Sequence, residues 1–105
     1  MIHHLLFFKL KPEVDAATLE EAIRASRSIL LKIPEVLSVR SGRAVKENSE
    51  WPFYVALEFE SLEKKRIYEE NPMYLKFKNS IIDRVTLASY HMDYETDPSK
   101  DLKYS

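Results

Sequence analysis

The chain has 105 residues, which suits one domain with a hydrophobic core and leaves too little for a second. Its 16 basic and 17 acidic residues nearly balance, so no general field draws it to nucleic acid or to an anionic membrane. The absence of cysteine excludes disulfides and thiolate catalysis, and no apolar run approaches the roughly 18 residues of a membrane helix. We therefore expect a cytoplasmic protein without a membrane partner.

The first segment, IHHLLFFKL at residues 2–10, is rich in β-branched and aromatic residues and stops before Pro12, so it predicts a strand. Two histidines, His3 and His4, stand side by side near its beginning. Because adjacent side chains of a strand point to opposite faces, the two rings must meet different surroundings. We expect His3 at an interface or a rim and His4 on the face that packs against helices.

Residues 15–33 carry apolar side chains at three- and four-residue spacing, which predicts the first helix. Asp15 is a candidate N-cap, and Thr18-x-x-Glu21 is an alternative capping box. Pro34 ends the helix, since proline disfavours the helical conformation of the residue before it.

Two further strands are predicted on either side of the polar loop KENSEWP. The first covers residues 36–45 and contains Gly42, the only glycine of the chain, which indicates a bulge or a point of close approach. The second covers residues 53–59, where apolar side chains alternate with smaller or more polar ones.

The second helical region is predicted to be broken. Ser61 caps a helix that ends near residue 70, and Asn71-Pro72 both interrupts that helix and begins a new one, with Asn as N-cap and Pro at the first position. Residues 85–94 make the last strand. The polar tail at residues 96–105 has few apolar side chains and is expected to fray or to lie across a neighbour.

The order βαββαβ predicts an α+β, ferredoxin-like fold with a four-stranded antiparallel sheet in the order 4-1-3-2 and helices on one face. Strand alternation places ten side chains on the helix side: His4, Leu6, Phe8, Phe53, Val55, Leu57, Phe59, Leu87, Ser89 and His91. The opposite face receives His3, Leu5, Phe7, Lys9, Tyr54, Ala56, Glu58, Ala88, Tyr90 and Met92. That face is more apolar than a monomer comfortably exposes, so we expect a homodimer that packs sheet on sheet.

Short motifs spread along the chain resemble those of one family. They are HLLFFK at residues 4–9, FESLE at 59–63, Y-x-x-N-P-x-Y-x-x-F at 68–77 and MDYE at 92–95. Their order and spacing across residues 1–95 are similar to the stress-responsive A/B barrel family, Dabb. The resemblance implies a domain over residues 1–95 that dimerises into an α+β barrel.

One enzymatic branch of this family, the polyketide cyclases of the olivetolic acid cyclase type, closes a ring by a cofactor-free intramolecular aldol step. The resemblance matches that branch's first-strand histidine to His4 and its tyrosine before the helix break to Tyr68. The branch's catalytic histidine falls at Tyr74, and a further pocket histidine falls at Phe53. Since an unperturbed phenol has a pKa of about 10 and imidazole of about 6.5, Tyr74 is a poor base at neutral pH.

The candidate catalytic residues are His4, Tyr68, Tyr74 and His91. A His4/His91 pair flanked by the two tyrosines could abstract a proton next to a carbonyl and stabilise the enolate. The structural alternative is that His4 is a hydrogen-bonded core residue and that His91 lies at a strand end near solvent. The side chains expected to bind an apolar ligand are Leu6, Phe8, Ile23, Phe53, Val55 and Phe77.

Three functions stay open. The leading one is binding, or cofactor-free conversion by a cyclase-like enzyme, of a small hydrophobic carbonyl or aromatic compound. The others are a non-catalytic stress-associated protein and a monooxygenase- or haem-handling barrel, which needs a pocket histidine that reaches iron.

No cofactor and no metal are expected, because three histidines, two of them on opposite faces, lack ligand spacing. An RNA-recognition module shares the βαββαβ order, but FYVALEFE lacks that module's basic residue and glycine, so no nucleic acid is expected.

Overall fold

Four antiparallel strands form one sheet in the order β2-β3-β1-β4, seen in a computed structural model that describes residues 1–97. The strands are β1 (Ile2–Leu10), β2 (Ser38–Arg43), β3 (Phe53–Phe59) and β4 (Thr86–Glu95). The predicted order 4-1-3-2 is the same sheet read from its other edge, so the ferredoxin-like fold is confirmed. Part of the predicted tail, residues 98–105, lies outside the described residues.

The helices pack on one face of this sheet. They are α1 (Ala16–Leu30), α2 (Leu62–Glu69), α3 (Pro72–Phe77) and a single turn, α4 (Asp83–Val85), with a π-helical turn (Lys78–Ile82) between α3 and α4. Helix α1 ends three residues earlier than predicted, and the residues before Pro34 form turns. Within residues 1–97, no helix has the length and apolar character needed to cross a membrane.

Side-chain caps start the helices where the sequence indicates. The Asp15 carboxylate accepts a hydrogen bond of 2.8 Å from the Thr18 backbone N–H, so Asp15 is the N-cap of α1. Ser61 caps α2 in the same way. The Asn71 side chain accepts from the Met73 N–H at 2.8 Å, which starts α3 directly after α2 ends. The predicted break in the second helical region is thus confirmed.

Alternation along the central strands separates the core from the other sheet face. In β3 the residues at odd positions, Phe53 to Phe59, are buried and the intervening ones are half-buried. In the register, His4 stands opposite Leu57, and Leu6 stands opposite both Val55 and His91. The helix-side face therefore contains His4 and His91, as predicted.

Two local predictions on the strands are wrong. Gly42 pairs with Tyr54 in an unbroken register, and a Cβ at Gly42 would meet no atom within 4 Å, so it forms no bulge and no close contact within the described chain. The irregularity lies instead between Lys9 and Leu10, where the register to β4 shifts. Leu87 falls at this shift and is 64% exposed, so it does not pack beneath the helices.

The sheet face without helices carries aromatic side chains. The Phe7 and Tyr54 rings lie 5.7 Å apart, and Trp51, from the loop before β3, folds to 6.1 Å from the Tyr90 ring. At the rim, His3 Nε2 hydrogen-bonds to the Thr96 hydroxyl at 2.8 Å.

The burial pattern predicts where truncation destabilises the fold. Phe53 is fully buried, with its ring 5.1 Å from that of Phe8, so Phe53→Ala should lower the free energy of unfolding by about 3–5 kcal/mol. Val45 is fully exposed, and Val45→Ala should change that free energy by less than about 0.5 kcal/mol. Urea denaturation at equal protein concentrations measures both; equal losses would contradict the assigned core.

Candidate active site

A cavity of about 170 Å³ opens between the sheet and the segment from α2 to the π-helical turn. A cavity of about 150 Å³ accommodates benzene, so this one has room for a single small ring. Its sheet-side lining consists of His4, Leu6, Phe8, Ser89 and His91. Its helix-side lining consists of Lys65, Tyr68, Glu69, Tyr74, Phe77, Lys78 and Ile82.

A histidine and an aspartate form the polar centre of this site. Asp93 stands directly opposite His4 in the β1–β4 register, and its Oδ1 lies 2.5 Å from His4 Nδ1. Because an ionised carboxylate can only accept, Nδ1 carries the proton and donates. The other ring nitrogen, Nε2, is thereby the basic one, and no side chain of residues 1–97 hydrogen-bonds to it.

The second oxygen of Asp93 binds a lysine from α2. Lys65 Nζ lies 3.0 Å from Asp93 Oδ2, and it lies 3.9 Å from Oε1 of Glu69, one helical turn further on. Burial by itself would raise the pKa of Asp93, but the hydrogen bonds from His4 and Lys65 outweigh burial and lower that pKa. Asp93 is therefore a carboxylate shared between a histidine and an ammonium group.

The two histidines are held in their neutral, basic form. Burial lowers the pKa of His4, and the opposing hydrogen bond and charge of Asp93 do not cancel this effect. Burial likewise lowers the pKa of His91, with the positive charge of Lys65 acting in the same direction. The two rings meet edge to face with their centroids 5.7 Å apart.

The two tyrosines are held in their protonated form. Burial, followed by the nearby Tyr74 and Glu69, raises the pKa of Tyr68 far above its ordinary value. Burial and the charge of Glu69 also raise the pKa of Tyr74. The Tyr68 hydroxyl is buried without a hydrogen-bond partner among the described residues, which is energetically costly and leaves a donor free. Both phenols can donate hydrogen bonds, and neither can act as a base near neutrality.

The interrupted helix places the tyrosines together. The Asn71 cap and Pro72 restart the chain as α3, which leaves the Tyr68 and Tyr74 rings 4.9 Å apart. The π-helical turn then places Lys78 and Ile82 at the cavity. Turns of this kind occur frequently at functional sites.

The structure brings together most of the site residues expected from the sequence. His4, Tyr68, Tyr74 and His91 all line the cavity, as do three of the expected ligand-binding residues, Leu6, Phe8 and Phe77. The other three, Ile23, Phe53 and Val55, are buried in the hydrophobic core and do not line it.

Sequence reasoning did not name five polar residues as part of the site, namely Lys65, Glu69, Lys78, Ser89 and Asp93. A signal existed for Asp93, since the alternation that places His91 on the helix side places Asp93 there too. Lys65 lies three residues before Tyr68 and four before Glu69, which is the spacing of one helix face, but a charged residue on a short helix is normally assigned to solvent. Among residues 1–97, no group of three or more His, Cys, Asp or Glu side chains is arranged to hold a metal ion.

The fold and the site define a small ferredoxin-like domain with a cavity between its sheet and its helices, lined by histidine, tyrosine and lysine side chains. Residues 2–96 match the sequence profile of the stress responsive A/B barrel domain, Dabb. The chain belongs to this family. None of the curated proteins compared with it matches significantly.

Solved structures share the fold at low sequence identity. At3g17210 from Arabidopsis thaliana has a TM-score of 0.80 at 21% identity, over 92% of this chain and 96% of its own. A dimeric ferredoxin-like protein from Thermobifida fusca has a TM-score of 0.79 at 19% identity, over 90% of each chain. A Dabb family protein from Mesorhizobium loti has a TM-score of 0.78 at 19% identity, over 90% and 95%.

The hydrogen bond to Asp93 makes the pKa of His4 sensitive to one substitution. Asp93 raises that pKa against the effect of burial, so Asp93→Asn should lower the pKa of His4 further and populate both neutral tautomers. Nitrogen-detected NMR of the imidazole ring across a pH series measures both effects. Asp83→Asn, which removes a carboxylate outside the cavity, is the matched control. A rise in the pKa of His4 in Asp93→Asn would contradict the assigned interaction.

Proposed function

We propose that the protein binds a small carbonyl or aromatic compound in this cavity and that His4 acts on it as a cofactor-free general base. One observation carries the proposal: Asp93 holds His4 through Nδ1, which leaves basic Nε2 as the atom available to a ligand. An imidazole of lowered pKa is unprotonated at neutral pH, as a base must be.

The chemistry that suits this arrangement is removal of a proton from a carbon next to a carbonyl. The proton passes to His4 Nε2, the C–H electron pair becomes the C=C bond of an enolate, and the carbonyl oxygen takes the negative charge. Asp93 stabilises the imidazolium that forms, and the hydroxyl of Tyr74 or Tyr68 donates to the enolate oxygen. Each group then has the role that its protonation state permits.

This assignment of roles accommodates the departures from the cyclase branch that the sequence resembles. Where that branch has its catalytic histidine, this chain has Tyr74, whose pKa is raised by burial. The base is therefore assigned to His4, and Tyr74 becomes a hydrogen-bond donor. An open cavity reached by His4, Tyr68 and Tyr74 favours a ligand over a core filled only by side chains.

Isotope exchange tests the role of His4. Acetophenone combines one ring with a ketone, and in heavy water a base at His4 should exchange its methyl protons for deuterium. His4→Gln should slow the catalysed exchange by about 10²- to 10⁴-fold, the usual contribution of a general base. His3→Gln, on the opposite sheet face, is the matched control and should exchange at the wild-type rate. Wild-type exchange no faster than buffer, or full activity in His4→Gln, would refute the proposal.

We also propose that a second copy of the chain covers the sheet face without helices. Aromatic side chains dominate this face, and Tyr90 and Tyr94 are 52% and 53% exposed. Exposed aromatic surface of this kind is typical of an interface. A two-fold axis makes one such face complementary to itself, and the similar protein from Thermobifida fusca is described as dimeric.

A charge placed on this face should separate the subunits. Tyr90→Glu would bury an unpaired carboxylate in the dimer but leave the monomer core untouched. By light scattering, the wild type should have twice the chain mass of 12.4 kDa. The Tyr90→Glu variant should have the mass of a single chain. Val45→Glu, at a fully exposed loop position, should remain dimeric. A monomeric wild type would overturn the interface.

A further inference from the structure

An ammonium group lies beside the base proposed above. The Lys65 side chain is only 17% exposed, although a lysine on a short surface helix ordinarily extends into water. It lines the cavity, and its Nζ is held by the same carboxylate that holds His4, through the other oxygen. Asp93 thus binds a neutral imidazole from the sheet side of the cavity and a cation from the helix side through its two oxygens.

The ammonium group of Lys65 retains donors for a ligand. It has three N–H donors, of which Asp93 accepts one at 3.0 Å. Glu69 Oε1, at 3.9 Å, is beyond hydrogen-bond distance. Since Lys65 lines the cavity and is largely shielded from bulk water, its remaining donors are available to whatever occupies the cavity.

The other charges around the cavity also admit an anion. Asp93 already accepts from His4 and Lys65, and His4 and His91 are neutral. Lys78 adds a second cation to the lining, while Glu69 is half exposed at the same wall. An uncharged carbonyl can accept one of the Lys65 hydrogen bonds, but a carboxylate accepts it and also carries the opposite charge, so its hydrogen bond to the ammonium group is stronger.

We propose that Lys65 binds the carboxylate of a small acidic ligand, so that the cavity selects aromatic or oxo-carboxylates over their uncharged analogues. This inference deepens the proposed function, because it names the substrate class of the same cavity. With the carboxylate at Lys65, the rest of the ligand lies against His4, since both side chains are fixed by Asp93. Lys65 is then the residue that orients the substrate for the base.

A pair of ligands of equal size tests the selectivity. Benzoate and benzamide have the same ring and nearly the same volume, and at neutral pH only benzoate is charged. Calorimetric titration of the wild type should show benzoate binding about tenfold or more tightly, the ratio that one hydrogen bond to a charged group supplies. Lys65→Met should lose this preference, and Lys65→Arg should restore part of it.

The adjacent lysine provides the matched control. Lys64 faces a different groove, beside Pro34 and Leu37, so Lys64→Met should keep the wild-type preference. Glu69→Gln removes the nearby negative charge and should tighten benzoate binding. Equal affinities for the two ligands in the wild type, no measurable benzoate binding, or an unchanged preference in Lys65→Met would each overturn the inference.

The test also separates this inference from the proposed function. Acetophenone carries no charge, so the effect of His4→Gln on its exchange does not depend on anion binding. If that effect is found but the benzoate preference is not, the base assignment stands and the selectivity fails. If the preference is found but His4→Gln exchanges normally, the cavity binds acids and His4 is not its base.

Discussion

The Asp93 carboxylate is the group on which the geometry of the cavity depends. It joins the edge strand β4 to β1 through His4 and to α2 through Lys65. Removing it would leave a buried imidazole and a largely shielded ammonium group without their shared acceptor, and loss of such a partner is destabilising. The tautomer of His4 thus depends on this one carboxylate, which also links α2 to the sheet.

Burial acts on the pKa of the two histidines, the two tyrosines and Asp93, and the direction of its effect depends on whether the ionised form is a cation or an anion. It disfavours the imidazolium, so His4 and His91 stay neutral and basic; it disfavours the phenolate, so Tyr68 and Tyr74 stay protonated. Asp93 is the exception, because two donors outweigh its burial. The result is two neutral imidazoles, two phenolic hydrogen-bond donors and a cation around one cavity, an arrangement consistent with the enolate chemistry proposed above.

Strand periodicity was sufficient to predict the two faces of the sheet and the two histidines that line the cavity, His4 and His91. The alternation in β1 and β3 is strict, so the burial of His4 and the face of His91 followed from counting. Gly42 and Leu87 were placed wrongly because a bulge depends on how two strands pair, and neither strand alone contains that information. The expected ligand residues Ile23, Phe53 and Val55 were judged by apolar character, which does not distinguish a cavity wall from a packed core.

By itself, the sequence determined the order of strands and helices, their caps, the two faces of the sheet and the family, because these depend on local periodicity and short motifs. The tertiary structure decided which polar groups meet. Lys65 and Asp93 are 28 positions apart in the chain, and they meet only because α2 packs on the sheet with Lys65 within reach of the Asp93 carboxylate on β4. A hydrogen bond within 3 Å depends on the packing of whole elements, and no pattern within a single element encodes that distance.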